Sequence, residues 1–428
     1  MLQRTPRIQE EDPIIRPLLR NSPSFYAFIA LLLVLVGWSG YLWVIQLTQG
    51  LGSTAMRTPV GAAWGAYITN FVFFACMAHG GMAVSAAVRL LKLKQYKPVA
   101  RMGEVLTAVA LMMAGLSIVI DLGRPDRAIN MILYWPQRVA SSPLSWDMTV
   151  IVLYFTLSTS YLWLTMRKDL LRHVGRFANR GRIYRLLLSG YEPEQEYKIE
   201  RTAWWLSISI LILIVMVSGG VIPWIFGLQS GRPGWFSAMA GPYFLTAALA
   251  TSIAVMIVIA AVLRKIYRWQ TIIKPGIFRG LAMVLGVLTH LYIYLTIAEQ
   301  FTLRYSSPHS ELAISEVLLR GEYALVYWLM LILGLAIPAL ILVIQALYPR
   351  LFSYKATIVI SVIILAAFWV KRLLIVVPSL LRPLVPFPTG VYHPNWLEWS
   401  IIAGILALAI LIYTLLLKIF PIVEVEEE

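Results

Sequence analysis

Several residues able to carry protons stand inside long apolar runs, where an ionisable group costs a few kcal/mol and usually faces a cavity or a partner. His79 lies in Ala78-His79-Gly80-Gly81, among small residues that let helices approach closely and that turn the imidazole into a packed bundle. Histidine titrates near neutrality, so it can take or give a proton there; a plain hydrogen bond to a carbonyl is the other reading. Glu104 opens the next apolar run and either complements a helix dipole or admits protons. Asp121 closes that run in Asp121-Leu122-Gly123-Arg124-Pro125. An Asp121–Arg124 ion pair would seal the helix end, whereas an acid tuned by a neighbouring arginine would accept protons from a bound substrate. Asp147 follows Ser142-Pro143, a good helix start, and fits dipole compensation or a step in a proton pathway. Further along stand His290, Tyr294 and Glu299, with Tyr292, Thr296 and Glu299 on one helical face, then Lys371-Arg372 some ten residues inside another run. At least one of that basic pair needs an acid, and Glu299 or Glu398 can supply it.

These residues have to be held by membrane helices. The 428 residues are 59% hydrophobic and 13% charged, against about 25% charged for soluble domains. A spanning helix needs about 20 mostly apolar residues. Ten such runs are legible, at roughly 25–46, 64–88, 103–123, 144–166, 202–227, 240–263, 281–303, 323–347, 356–380 and 397–420. The count puts both termini on one side. That side carries 26 of the 36 Lys and Arg and the other carries eight, so the positive-inside rule predicts cytoplasmic termini. The net charge of +15 is thereby an orientation signal and not a sign of nucleic acid. Residues 1–24 hold no apolar stretch, so no cleavable signal peptide is expected, and 421–428 form an acidic tail.

Spans two and three resemble a distant copy of spans six and seven. Gly65-Ala66-Tyr67 corresponds to Gly241-Pro242-Tyr243, and twenty residues after Arg101 and Arg279 come Asp121 and Glu299. The spacing predicts an all-α membrane protein of two tandem four-helix bundles, spans 2–5 (64–228) and 6–9 (240–382), flanked by spans 1 (25–46) and 10 (397–420). The single Cys76 excludes an internal disulfide, a four-Cys cluster and a CxxCH haem. His79 and His290 are the only embedded histidines, so at most one bis-His haem could form; none is expected, nor any metal.

The run Trp64-Gly65-Ala66-Tyr67-Ile68-Thr69-Asn70, then Ala78-His79-Gly80-Gly81, resembles the second span of the NrfD/PsrC family. Arg101-Met102-Gly103-Glu104, Asp121-Leu122-Gly123-Arg124-Pro125, Ser142-Pro143-Leu144-Ser145-Trp146-Asp147, Trp369-Val370-Lys371-Arg372 and Tyr392-His393-Pro394-Asn395-Trp396 also fit. Asp121 stands where many relatives carry histidine. Gly50-Leu51-Gly52 and the ten spans look most like the quinol-oxidising membrane subunits of alternative complex III.

The resemblance implies a subunit in a prokaryotic cytoplasmic membrane that exchanges electrons with menaquinone or another quinone and holds no metal. It implies an extracytoplasmic iron–sulfur partner, joined by multihaem cytochrome c or molybdopterin-type subunits, with a paralogous membrane subunit possible in the same complex. Under it, His79 and Asp121 handle quinol protons with Arg124 beside them, and Glu104, Asp147, His290, Tyr294, Glu299, Lys371 and Arg372 form a proton pathway. A non-catalytic paralogue that anchors the complex or conducts protons and a secondary transporter are the alternative expectations.

Overall fold

The computed structural model describes residues 22–56, 62–173, 181–229, 231–305, 309–382, 384 and 390–423, so most of the tails expected at 1–24 and 421–428 lies outside the described residues. Among the described residues there are helices and turns and no strand. Ten helices are long and apolar enough to cross a membrane. They are α1 (Pro23–Gln49), α2 (Ala66–Leu90), α3 (Lys97–Asp121), α4 (Pro143–His173), α5 (Glu196–Gly227), α6 (Ala240–Ile266), α7 (Pro275–Tyr305), α8 (Ala324–Leu347), α9 (Tyr354–Leu381) and α10 (Trp396–Ile419). Each matches a run read from the sequence. Below, the terminal face is the one that holds the start of α1 and the end of α10.

Local chemistry sets the helix ends. Ser22 caps α1 by accepting from the Phe25 amide at 3.2 Å, with Pro23 in the first turn, where its missing N–H costs nothing. Asn395 and Glu398 cap α10 reciprocally, each side chain accepting the other's backbone N–H at 3.0 Å.

Two helices widen into π geometry, α5 at Val217–Val221 and α8 at Leu329–Ala336. A proline follows each, Pro223 and Pro338. Proline has no N–H to return to the preceding turn, and the helix accommodates the lost bond by taking in an extra residue.

α2 is the hub, packing on α3, α5, α6 and α9, while α6 packs on α2, α5, α7 and α9. α1 pairs with α10, which lies on α2 and α3. Glycines make the central approaches possible. A methyl group at Gly80 would stand 2.6 Å from the Ala248 carbonyl of α6, and one at Gly81 would stand 2.8 Å from the Gly103 carbonyl of α3. In place of a side chain, the Ser252 hydroxyl of α6 donates to the Met77 carbonyl at 2.5 Å. Small residues and interhelical hydrogen bonds hold helices together where lipid removes the hydrophobic drive between them.

Candidate functional site

Three clusters of buried polar residues touch α2. The first is a column between α2, α3, α4 and α5. His79 is buried at mid-helix, its Nδ1 2.7 Å from the Ser218 hydroxyl in the π segment of α5. The Tyr154 ring of α4 meets the imidazole edge-on at 4.9 Å, and its hydroxyl donates to the Ala78 carbonyl at 3.3 Å. Asp147, Tyr154 and Tyr161 recur at i, i+7 and i+14, which puts them on one face of α4, and all three are buried. Asp147 lies above Tyr154, away from the terminal face, and neither carboxyl oxygen has a hydrogen-bond partner among the described residues. Below, the Tyr161 hydroxyl accepts from Arg89 Nε at 2.7 Å. Nearest the terminal face, Glu104 accepts from Ser85 at 2.5 Å and from Thr165 at 3.3 Å, and the buried Arg101 pairs with Asp169.

The second place is a corner at the opposite face. Asp121 is buried as the last residue of α3. The Gln46 amide of α1 donates to the carbonyl of its neighbour Ile120 at 2.9 Å, and the Tyr67 hydroxyl donates to Gln46 at 2.7 Å. One turn deeper, Asn70 donates to Ser117 at 3.1 Å. Arg124 turns away from this corner. Its guanidinium forks onto the exposed Asp126 at 2.9 and 3.0 Å, and those hydrogen bonds hold the Asp126 carboxyl below its usual range.

This geometry corrects the expectation that His79 and Asp121 converge on one quinol. Asp121 lies level with Tyr67, and the twelve residues from Tyr67 to His79 rise about 18 Å along α2, too far for one ring to touch both. Arg124, expected to tune Asp121, serves Asp126 instead.

The third place lies between α2, α6, α7 and α9. Lys371 and Arg372 are each 1% exposed. The Lys371 ammonium is 3.5 Å from Glu299, while Glu398 is used elsewhere, accepting from the Tyr392 hydroxyl at 2.5 Å and from the Ala55 amide at 2.9 Å. Arg372 donates to the Cys76 thiol at 3.4 Å and lies over the Phe244 ring at 4.9 Å. His290 and Tyr294 are not in this cluster. They lie on the outward face of α7, Tyr294 at 63% exposure, and His290 Nδ1 bonds back to the Gly286 carbonyl of its own helix at 2.8 Å. The pathway expected through His290, Tyr294 and Glu299 therefore does not share one interior face.

Sequence reasoning missed Ser218, Tyr154, Tyr161 and Gln46. The seven-residue recurrence of Asp147, Tyr154 and Tyr161 was the signal available for the α4 face. Among the described residues, no three His, Cys, Asp or Glu side chains converge as a metal site.

Comparison with known proteins places this architecture. Residues 52–383 match the family described as "Polysulphide reductase, NrfD". A Halobacterium salinarum protein named as a membrane subunit of dimethyl sulfoxide reductase is 30% identical over 326 residues, 73% of this chain and 71% of that one. A selenate reductase subunit of Mesobacillus selenatarsenatis is 24% identical over 403 residues, 90% and 91% of the two chains. The Hdr-like menaquinol oxidoreductase integral membrane subunit of Archaeoglobus fulgidus is 22% identical over 420 residues, 94% and 95%. This multi-pass membrane chain belongs to the NrfD polysulphide reductase family.

Proposed function

We propose that the chain is the quinone-interacting membrane subunit of an electron-transfer complex, binding quinol at the Asp121 corner near the outer face and handing its electrons to an extracytoplasmic iron–sulfur partner. The observation that carries this reading is the buried carboxylate of Asp121 beside the Gln46–Tyr67 pair, directly beneath an exposed loop. Quinol oxidation releases two electrons and two protons. A carboxylate can accept the first proton as the hydroxyl loses its electrons, and Tyr67 and Gln46 offer a hydrogen-bonding edge to orient the ring. The relative named for menaquinol oxidoreduction supports the same substrate class.

The loop after Asp121 gives the partner a place to dock. Its short helices Ile129–Leu133 and Trp135–Arg138 expose Ile129, Ile132, Leu133, Tyr134 and Trp135. Large exposed apolar patches mark sites that meet another protein or the membrane. A partner seated there holds its cluster over the corner where the quinol reacts. The column from Asp147 past His79 and Tyr161 to Glu104 supports a proton route across the chain. That route is separate from quinol chemistry and joins it only if the complex couples electron transfer to proton movement.

Asp121→Asn in the assembled complex tests the assignment. Quinol-dependent electron transfer is expected to fall at least about tenfold, a margin inside the hundredfold or more of a positioned acid or base. An unchanged rate in a fully assembled complex removes the quinol site from this corner.

A further inference from the structure

The cluster around Arg372 contains a buried cation whose hydrogen-bonding capacity is mostly unused. Nε and Nη1 of this guanidinium have no hydrogen-bond partner among the described residues, and no carboxylate there pairs with it. The buried hydroxyls of Tyr243 and Tyr292 face each other and Thr296, with no other polar partner among the described residues. Their rings stack at 4.4 Å, and Phe368 stands edge-on to Tyr292 at 4.8 Å. A buried donor left unmade costs about 1–3 kcal/mol, and an unpaired buried charge costs more. Two such guanidinium nitrogens, beside a pair of phenols with hydrogen-bonding capacity to spare, point to an occupant that brings acceptors.

We infer that Arg372, Tyr243 and Tyr292 form a second ligand site, which receives a carbonyl oxygen of a quinone-type ring in the half of the molecule built from α6, α7 and α9. The inference rests on the reading of the chain as a quinone-interacting subunit. The surroundings select the ligand. A quinone carbonyl accepts from a guanidinium and from phenols and brings no donor that needs its own partner. The walls suit an aromatic ring: Phe244 lies under the guanidinium and Phe226 stacks on Phe244 at 6.0 Å. Trp235 follows at 5.1 Å and Trp64 at 5.8 Å, so aromatic rings continue from the end of α2 opposite the terminal face to Arg372. A small cavity of about 20 Å³, lined by Glu299, Gln300, Leu374 and Ser379, also ends on Lys371. Lys371 links it to the cluster, standing 5.3 Å from the Tyr243 ring.

This site is distinct from the Asp121 corner. Cys76, which receives the Arg372 hydrogen bond, is nine residues further along α2 than Tyr67, about 14 Å deeper. In the corner the Tyr67 hydroxyl is taken up by Gln46 of α1, whereas the Tyr243 hydroxyl has only the hydroxyls of Tyr292 and Thr296 near it.

The test is photolabelling of the purified complex with an azido-menaquinone, with the modified peptides mapped. Label is expected on α6 and α9 around Phe244 and Arg372 as well as on the α2–α3 corner. Arg372→Met should cut the α6 and α9 label at least tenfold and leave the corner label unchanged. The Tyr243→Phe, Tyr292→Phe pair keeps the charge and packing and should lower the same label, which keeps the test open if Arg372→Met fails to assemble. Equal α6 and α9 labelling in both variants, or density at Arg372 that is only water or an inorganic anion, overturns the inference. Wild-type label confined to the corner overturns this site alone, whereas absence of label everywhere overturns the quinone reading itself.

Discussion

The Ser218 hydroxyl sits 2.7 Å from the His79 imidazole because α5 takes in an extra residue one turn before Pro223. In a regular α-helix the serine would be rotated by a large part of a residue step, away from α2. The proline thus acts on the histidine through the backbone of a neighbouring helix. Pro223→Ala should let α5 relax toward α geometry, and Ser218→Ala should remove the hydroxyl without that change. If the column carries protons, both variants in sealed vesicles keep quinol oxidation near normal and lose proton translocation, with Ser218→Ala the milder. Translocation at the wild-type level in both would take His79 out of the route.

Arg124 provides a contrast with Asp121. It is exposed, and Asp126 satisfies it, each holding the other in its charged form through their paired hydrogen bonds. Exposed pairs of this kind contribute little to folding. Arg124→Gln should therefore leave assembly and the quinol rate within about twofold of wild type, where Asp121→Asn does not. A loss as large in Arg124→Gln as in Asp121→Asn would return the arginine to the site.

The spans were legible because a run of some 20 apolar residues has one main use, and the Lys371–Glu299 pair because buried charges need partners. The depth of each group was harder to read. Counting residues puts His79 and Asp121 on neighbouring helices, but their separation depends on which ends adjoin, and Asp121 meets the start of α2, not its middle. His290 and Tyr294 were grouped with Glu299 for a different reason. Tyr292, Thr296 and Glu299 form an inward stripe, and His290 and Tyr294 belong to the opposite face, a matter of 100° per residue that polarity alone does not assign. The π segments break the 3.6 period on which such readings rest.

A knot of hydrogen bonds ties the start of α10 to the loop before α2. Glu398 is fully buried and accepts from Tyr392, Ala55 and Asn395, and the Tyr392 hydroxyl in turn accepts from the Ala66 amide at 2.8 Å. Gly65 belongs to the same knot, since a methyl group there would run into the Tyr392 ring. Glu398→Ala strands several of these donors at about 1–3 kcal/mol each. The expected result is a complex that unfolds several degrees earlier in a thermal scan, with α1 and α10 the first segments to exchange amide hydrogens. Unchanged melting would mean that water replaces the carboxylate without loss.

Glu299 and Lys371 make the last case, because the pair can be structural, catalytic or both. Lys371 is 1% exposed, and its ammonium reaches Glu299 at 3.5 Å while standing over the rings of Tyr243 and Tyr327 at 5.3 and 5.7 Å. Removing one member of a buried pair leaves the other charged in a poor solvent for it, at about 3–5 kcal/mol, while replacing both with apolar groups of similar size is often neutral. Glu299→Gln alone should therefore assemble poorly, and adding Lys371→Met should restore yield and melting temperature. If the restored double variant also oxidises quinol at the wild-type rate, the pair holds α7 to α9 and does nothing more. If it assembles but fails to translocate protons, Glu299 carries a proton as well. Full assembly of Glu299→Gln by itself would show that the aromatic rings and the cavity beside Lys371 already satisfy its charge.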